Sequence, residues 1–169
     1  MVKSFSVSTV ILLCVALVEA AILSNITLLP AVPDIALLCV LFFSLHNGPL
    51  LGETTGFMAG LFLDFLSMAP FGLNCLYRTI FGYIGGMFNK RINTEGFFIP
   101  ALLGFCSTMA KALMLKLISM LYPSSVLSYN PFTWLFVFEL VCNTVLAPFV
   151  FAFLSLFRNS VILRPEAVA

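Results

Sequence analysis

Long apolar runs, broken by short clusters of proline, glycine and polar residues, divide the chain into six segments. A helix needs about 20 residues to cross the hydrocarbon of a bilayer, and the runs reach or approach that length. The first extends from about Phe5 to Leu28 and stops at Pro30 and Pro33. The second, about Asp34 to His46, is short for a span, which suits partial placement in the interface, and it closes at the turn signal Asn47-Gly48-Pro49. The third covers about Leu50 to Met68 and ends before Pro70 and Gly72, and the fourth covers Leu73 to Phe88. The fifth runs from about Gly96 to Leu121, ahead of Pro123-Ser124-Ser125, and the sixth from about Pro131 to Phe157. The pattern predicts an all-α, polytopic membrane protein, with one integral membrane domain over residues 1–169 and six transmembrane helices joined by short loops.

Basic residues orient such a bundle. With six crossings Lys3, Lys90, Arg91, Arg158 and Arg164 fall on one side, while the opposite connections 29–33, 69–72 and 122–130 contain no Lys or Arg. Both termini are therefore expected in the cytoplasm. Tyr122, Tyr129 and Trp134 lie where the fifth and sixth segments meet the outer interface, the level at which amphipathic rings settle. The first run is long and contains Glu19, so it reads as a retained span rather than a cleaved signal peptide.

Composition narrows the class further. The chain is 62% hydrophobic and 9% charged, against about 25% charged residues in soluble domains. A net charge of +1 and the lack of a basic block exclude nucleic acid as a partner and leave the lipid bilayer as the solvent. Cys14, Cys39, Cys75, Cys106 and Cys142 lie inside apolar runs without metal-ligand spacing and read as packing residues, so no metal or cofactor is expected.

Small residues recur at four-residue spacing, which places them on nearly one helix face. Gly52, Gly56 and Gly60 form a ladder that ends in Asp64, and Gly82 with Gly86 and Ala16 with Ala20 repeat the spacing. Such strips admit close helix approach, and at least one of them is expected to meet a second protein. Glu19, Asp64, Arg78, Lys111 and Glu139 fall at similar depth on different segments. Charges at membrane depth normally pair, so an internal network is expected, with Asp64 or Glu19 against Arg78 and Glu139 against Lys111. Lys116 can snorkel to the outer interface. The lone His46 sits at a segment end, and no nucleophile–base set or phosphate-binding loop accompanies it. A carboxylate pair of Asp34 and Asp64 lacks any distinctive setting, so an enzyme is not expected.

The order of features resembles the MreD family, the rod shape-determining membrane proteins of bacteria. The matching pieces are Pro33-Asp34 opening the second segment, Gly48-Pro49, Gly52, Gly56-Phe57, Gly60-Leu61, Asp64 and Gly72-Leu73, with an acid in the first segment. The resemblance implies a multi-pass protein of the bacterial cytoplasmic (inner) membrane. It also implies a scaffold role in the elongation machinery for lateral peptidoglycan synthesis. The implied partners are a bitopic MreC-like protein, an MreB-like actin, a RodA-type glycosyltransferase and a class B penicillin-binding protein. The implied fold is similar to the S components of energy-coupling-factor vitamin transporters. Lys111 and Lys116 have no counterpart in the family pattern. A substrate-binding S component for a vitamin or other small solute is the alternative, with Ala16 and Ala20 docking and the outer charges as a ligand pocket. The scarcity of stacking and hydrogen-bonding groups weighs against it.

Overall fold

The computed structural model describes residues 2–21, 30–67, 70–94, 96–122, 133–158 and 162. Among them the chain forms six helices, α1 (Val2–Ala21), α2 (Ile35–Asn47), α3 (Pro49–Leu66), α4 (Leu73–Met87), α5 (Phe98–Leu121) and α6 (Trp134–Leu156), and no strand. The expected extension of the first segment to Leu28, the turn after Leu121, Tyr129 and Arg164 lie outside the described residues.

α2 has 13 residues, and every one from Ala36 to Leu45 is buried. A helix that is apolar on all sides belongs in a core, and α2 packs against α1, α3, α4 and α6. Its shortness marks a central helix wrapped by its neighbours. Phe42 and Phe43 anchor this core with Leu12, Phe151 and Leu154, and the Phe42 and Phe151 rings meet edge to face at 5.4 Å. The turn into α3 is the single residue Gly48, at φ +94°, a conformation that disfavours any side chain. Pro49 then opens α3, where its missing N–H costs nothing.

α3 and α4 form the closest helix pair in the fold, and glycines make it possible. A Cβ on Gly52 would strike the Gly82 carbonyl, one on Gly56 the Arg78 carbonyl, and one on Gly60 the Cα of Cys75. From the other side, a Cβ on Gly82 would strike the Gly52 carbonyl, and one on Gly86 the Cα of Pro49. α5 and α6 pair similarly at Gly104, whose added Cβ would lie 2.8 Å from Ala147 Cβ.

α1 offers α2 and α3 a narrow buried strip of Ser4, Ser8, Leu12, Ala16 and Glu19, at helical spacing. Its other face, with Val10 and Leu17, is exposed. α1, α5 and α6 are each long and apolar enough to cross a membrane, whereas α2, α3 and α4 are shorter or more polar. Exposed Phe98 (77%), Trp134 (74%) and Phe65 (70%) give the bundle an apolar outer surface suited to lipid.

The two ends of the bundle differ. At one, the α2–α3 turn meets the segment after α4: Gly48 lies close to Asn89, and Thr94 Oγ1 is 3.1 Å from His46 Nε2. This end carries Lys90 and Arg91, and Arg158 lies near His46. His46 is half-buried, with Nδ1 2.8 Å from the Phe42 carbonyl. Toward the other end lie the start of α2, the end of α3 and a cluster of buried charges.

Candidate functional site

The cluster is built around Asp34. Proline at position 33 precedes it, and its side chain caps α2 by accepting the Leu37 N–H at 3.0 Å, a favoured task for Asp at a helix start. The cap also gathers cations. Arg78 Nη2 of α4 reaches Oδ1 at 2.7 Å, and Lys111 Nζ of α5 reaches Oδ2 at 2.7 Å. The same ammonium binds Glu139 Oε1 of α6 at 2.7 Å. Glu19 of α1 joins the cluster: its Oε1 accepts the Ala36 N–H at 2.6 Å, and its Oε2 lies 4.0 Å from Arg78 Nη2. The positive end of the α2 dipole thus faces two carboxylates.

Neutral groups complete the set. The Tyr77 hydroxyl accepts from Arg78 Nη1 and lies 3.2 Å from Asp34 Oδ2 and 3.0 Å from Asn74 Oδ1. The Asp34 N–H donates to Asn143 Oδ1 at 2.8 Å, and Asn143 Nδ2 donates to Thr108 Oγ1 at 3.0 Å. Arg78 Nε is the one group of the cluster left without an acceptor among the described residues. Arg78, Asp34 and Glu19 are each exposed by 5% or less. Burying ions costs several kcal/mol each unless their geometry is good and their remaining hydrogen bonds are met. The ion pairs are short, and apart from Arg78 Nε the buried side-chain groups of the cluster have partners among the described residues. The carboxylates are engaged by cations and N–H groups, and the cluster ties α1, α2, α4, α5 and α6 together at one level.

The structure brings four of the five expected network residues together, namely Glu19, Arg78, Lys111 and Glu139. Of the two acids expected against Arg78, Glu19 is the one that lies near it, at 4.0 Å, and Asp64 stands apart. Its carboxylate accepts the N–H groups of Gly72, Asn74 and Cys75 at 3.0, 3.0 and 3.1 Å and the Asn74 side-chain amide at 2.9 Å. It therefore caps the start of α4 from the end of α3. Asp34 and Asp64 consequently form no carboxylate pair.

Asp34, Tyr77, Asn143 and Thr108 are the members that the sequence alone does not place in the network. The signal for Asp34 is present, an acid after proline at the opening of the second segment, but in the sequence it is weighed against Asp64 and not against the cations. Among the described residues no group of three His, Cys, Asp or Glu is placed to hold a metal.

The small-residue strips expected to face a partner also fall elsewhere. Gly52, Gly56, Gly60, Gly82 and Gly86 are buried between α3 and α4, where backbone meets backbone and no second protein can enter. Ala16 is fully buried against Ala36 and Leu63, and Ala20 is half-buried.

Apolar helices long enough to span, an apolar outer surface and internally paired charges define an all-helical membrane protein. A family model described as rod shape-determining protein MreD matches residues 2–157. The chain belongs to the MreD family, and it is a rod shape-determining membrane protein. No curated protein and no solved structure matches it.

Proposed function

We propose that this chain is a non-catalytic scaffold of the bacterial inner membrane. It would cross the bilayer six times, with both termini in the cytoplasm. It would hold an MreC-like bitopic partner and so help to position peptidoglycan synthesis by the elongation machinery, alongside an MreB-like actin, a RodA-type glycosyltransferase and a class B penicillin-binding protein. Family membership over residues 2–157 is the observation that carries this reading.

Two features support it. The basic residues Lys90, Arg91 and Arg158 share one end of the bundle, as cytoplasmic ends do. The buried charges are used on one another at 2.7 Å, which suits a framework better than a solute pocket. A scaffold of this kind acts by position: it restrains where the partner's helix sits, and no bond is made or broken.

Depletion of the protein is expected to turn rods into round cells, and the MreC-like partner of the same organism is expected to co-purify with the tagged chain from detergent-solubilised membranes. Rods that persist after depletion would remove the cell-shape role. A saturable thermal shift of the purified protein with a vitamin would favour the S-component alternative.

A further inference from the structure

With the glycine strips buried, the partner must be held elsewhere, and one carboxylate points to the place. Glu19, Asp34, Asp64 and Glu139 all have partners in the fold. Glu53, on the second turn of α3, is exposed and has no partner among the described residues. Leu50 (62% exposed) and Phe57 (48%) flank it along the helix.

Glu53 also lines a groove of about 260 Å³ along α3, with Thr54, Phe57 and Met58 of the same helix, Phe5 of α1 and Thr79 of α4. The two hydroxyls in the groove are already used. Thr54 donates to the Leu50 carbonyl at 2.9 Å and Thr79 to the Cys75 carbonyl at 2.6 Å. What remains among the described residues is an apolar channel with one unanswered negative charge, near the basic end of the bundle. A carboxylate beside hydrocarbon is costly until it meets a cation. Lipid tails would satisfy the apolar walls but not Glu53.

We infer that this groove receives the single transmembrane helix of a bitopic partner, with a Lys or Arg of that helix, near its cytoplasmic end, paired to Glu53. The inference rests on the scaffold reading above and names the contact face. The apolar walls accept the partner's side chains, as close helix packing in lipid requires, and the charge pair fixes its depth and register. Because Glu53 makes no contact that the described fold depends on, its replacement separates binding from folding.

The test uses the full chain in native membranes, with photo-crosslinking residues placed singly at Thr54, at Phe57 and, as a remote site, at exposed Leu117 of α5. Adducts with the MreC-like partner are expected from the first two positions and not from the third. Glu53→Gln is expected to reduce co-purification about tenfold or more, the scale of losing a desolvated charge pair, with unchanged accumulation of the chain. Glu53→Lys is expected to lose the partner and to regain it when the partner's basic residue is changed to Glu.

Undiminished co-purification of the Glu53→Gln protein would overturn the inference. So would adducts only with lipid or with a second copy of the chain, or rescue of Glu53→Lys by Lys3→Glu in the same chain. If the wild-type chain itself fails to capture the partner, the scaffold reading falls. If the wild type captures it and Glu53→Gln does so equally, the assigned face alone is wrong.

Discussion

Replacing Asp34 with Asn is expected to cost about 3–5 kcal/mol, the range for removing one partner of a buried ion pair, and to deplete the membrane of folded protein. Two cations depend on this carboxylate at 2.7 Å, Arg78 on one oxygen and Lys111 on the other. Without it they face each other across a buried site, with only Glu19 and Glu139 left to answer them. Asn still caps helices well, so the loss reports the charge and not the start of α2. Because whole domains are stable by only about 5–15 kcal/mol, a change of this size should be visible both in steady-state level and in thermal unfolding in detergent. A Glu53→Gln control in the same assay is expected to unfold at the wild-type temperature. An Asp34→Asn protein as stable as the wild type would show that the cluster does not hold the helices together.

The second large effect belongs to the glycines. Gly52→Ala and Gly82→Ala each place a methyl group against the carbonyl of the opposite glycine. Backbone cannot rotate away as a side chain can, so α3 and α4 must separate. We expect each change to destabilise by about 1–3 kcal/mol or more, the range for overpacking. Since the two glycines face one another, the first methyl opens the gap that the second would need. The double variant should therefore cost clearly less than the sum of the singles, by more than the ~0.5 kcal/mol within which independent sites add. Thermal unfolding of the four proteins measures this. Simple additivity would mean that the two positions do not share one contact.

The two sites also differ in how far the sequence alone discloses them. The span-like helices α1, α5 and α6 announce themselves by length and high overall hydropathy despite their internal charges, and the turn Asn47-Gly48-Pro49 fixes the start of α3. The four-residue ladder of Gly52, Gly56 and Gly60 shows that another backbone comes close. It does not show whose, because an internal helix and a foreign one demand the same bare face. Here Gly82 and Gly86 on α4 supply the complementary surface.

Depth along a helix predicts which charges share a level, and it groups Arg78, Lys111, Glu139 and Glu19 on that basis. Depth does not give direction around the helix, and Asp64 points to the start of α4 and not inward to Arg78. Asp34 is obscured by its position at a segment boundary, outside the runs whose charges are compared by depth. Asn143 and Thr108 carry no charge or spacing to mark them, and only the packing of α5 on α6 makes them partners. Glu53 is informative only after the fold shows that the other acids of the described helices are answered.

On the scaffold reading proposed above, the buried charges serve the fold while function is exercised at the surface. The most direct test is to remove one ion pair without leaving a bare charge, by combining Lys111→Met with Glu139→Gln. Asp34 then keeps Arg78 at 2.7 Å, and neutral replacement of a buried pair is often tolerated. The measurement is the length-to-width ratio of cells that depend on the double variant as their sole copy, with membrane accumulation verified. The account predicts rods of wild-type proportions. Round cells containing wild-type amounts of inserted variant would contradict it, and would give the Lys111–Glu139 pair a role beyond holding helices together.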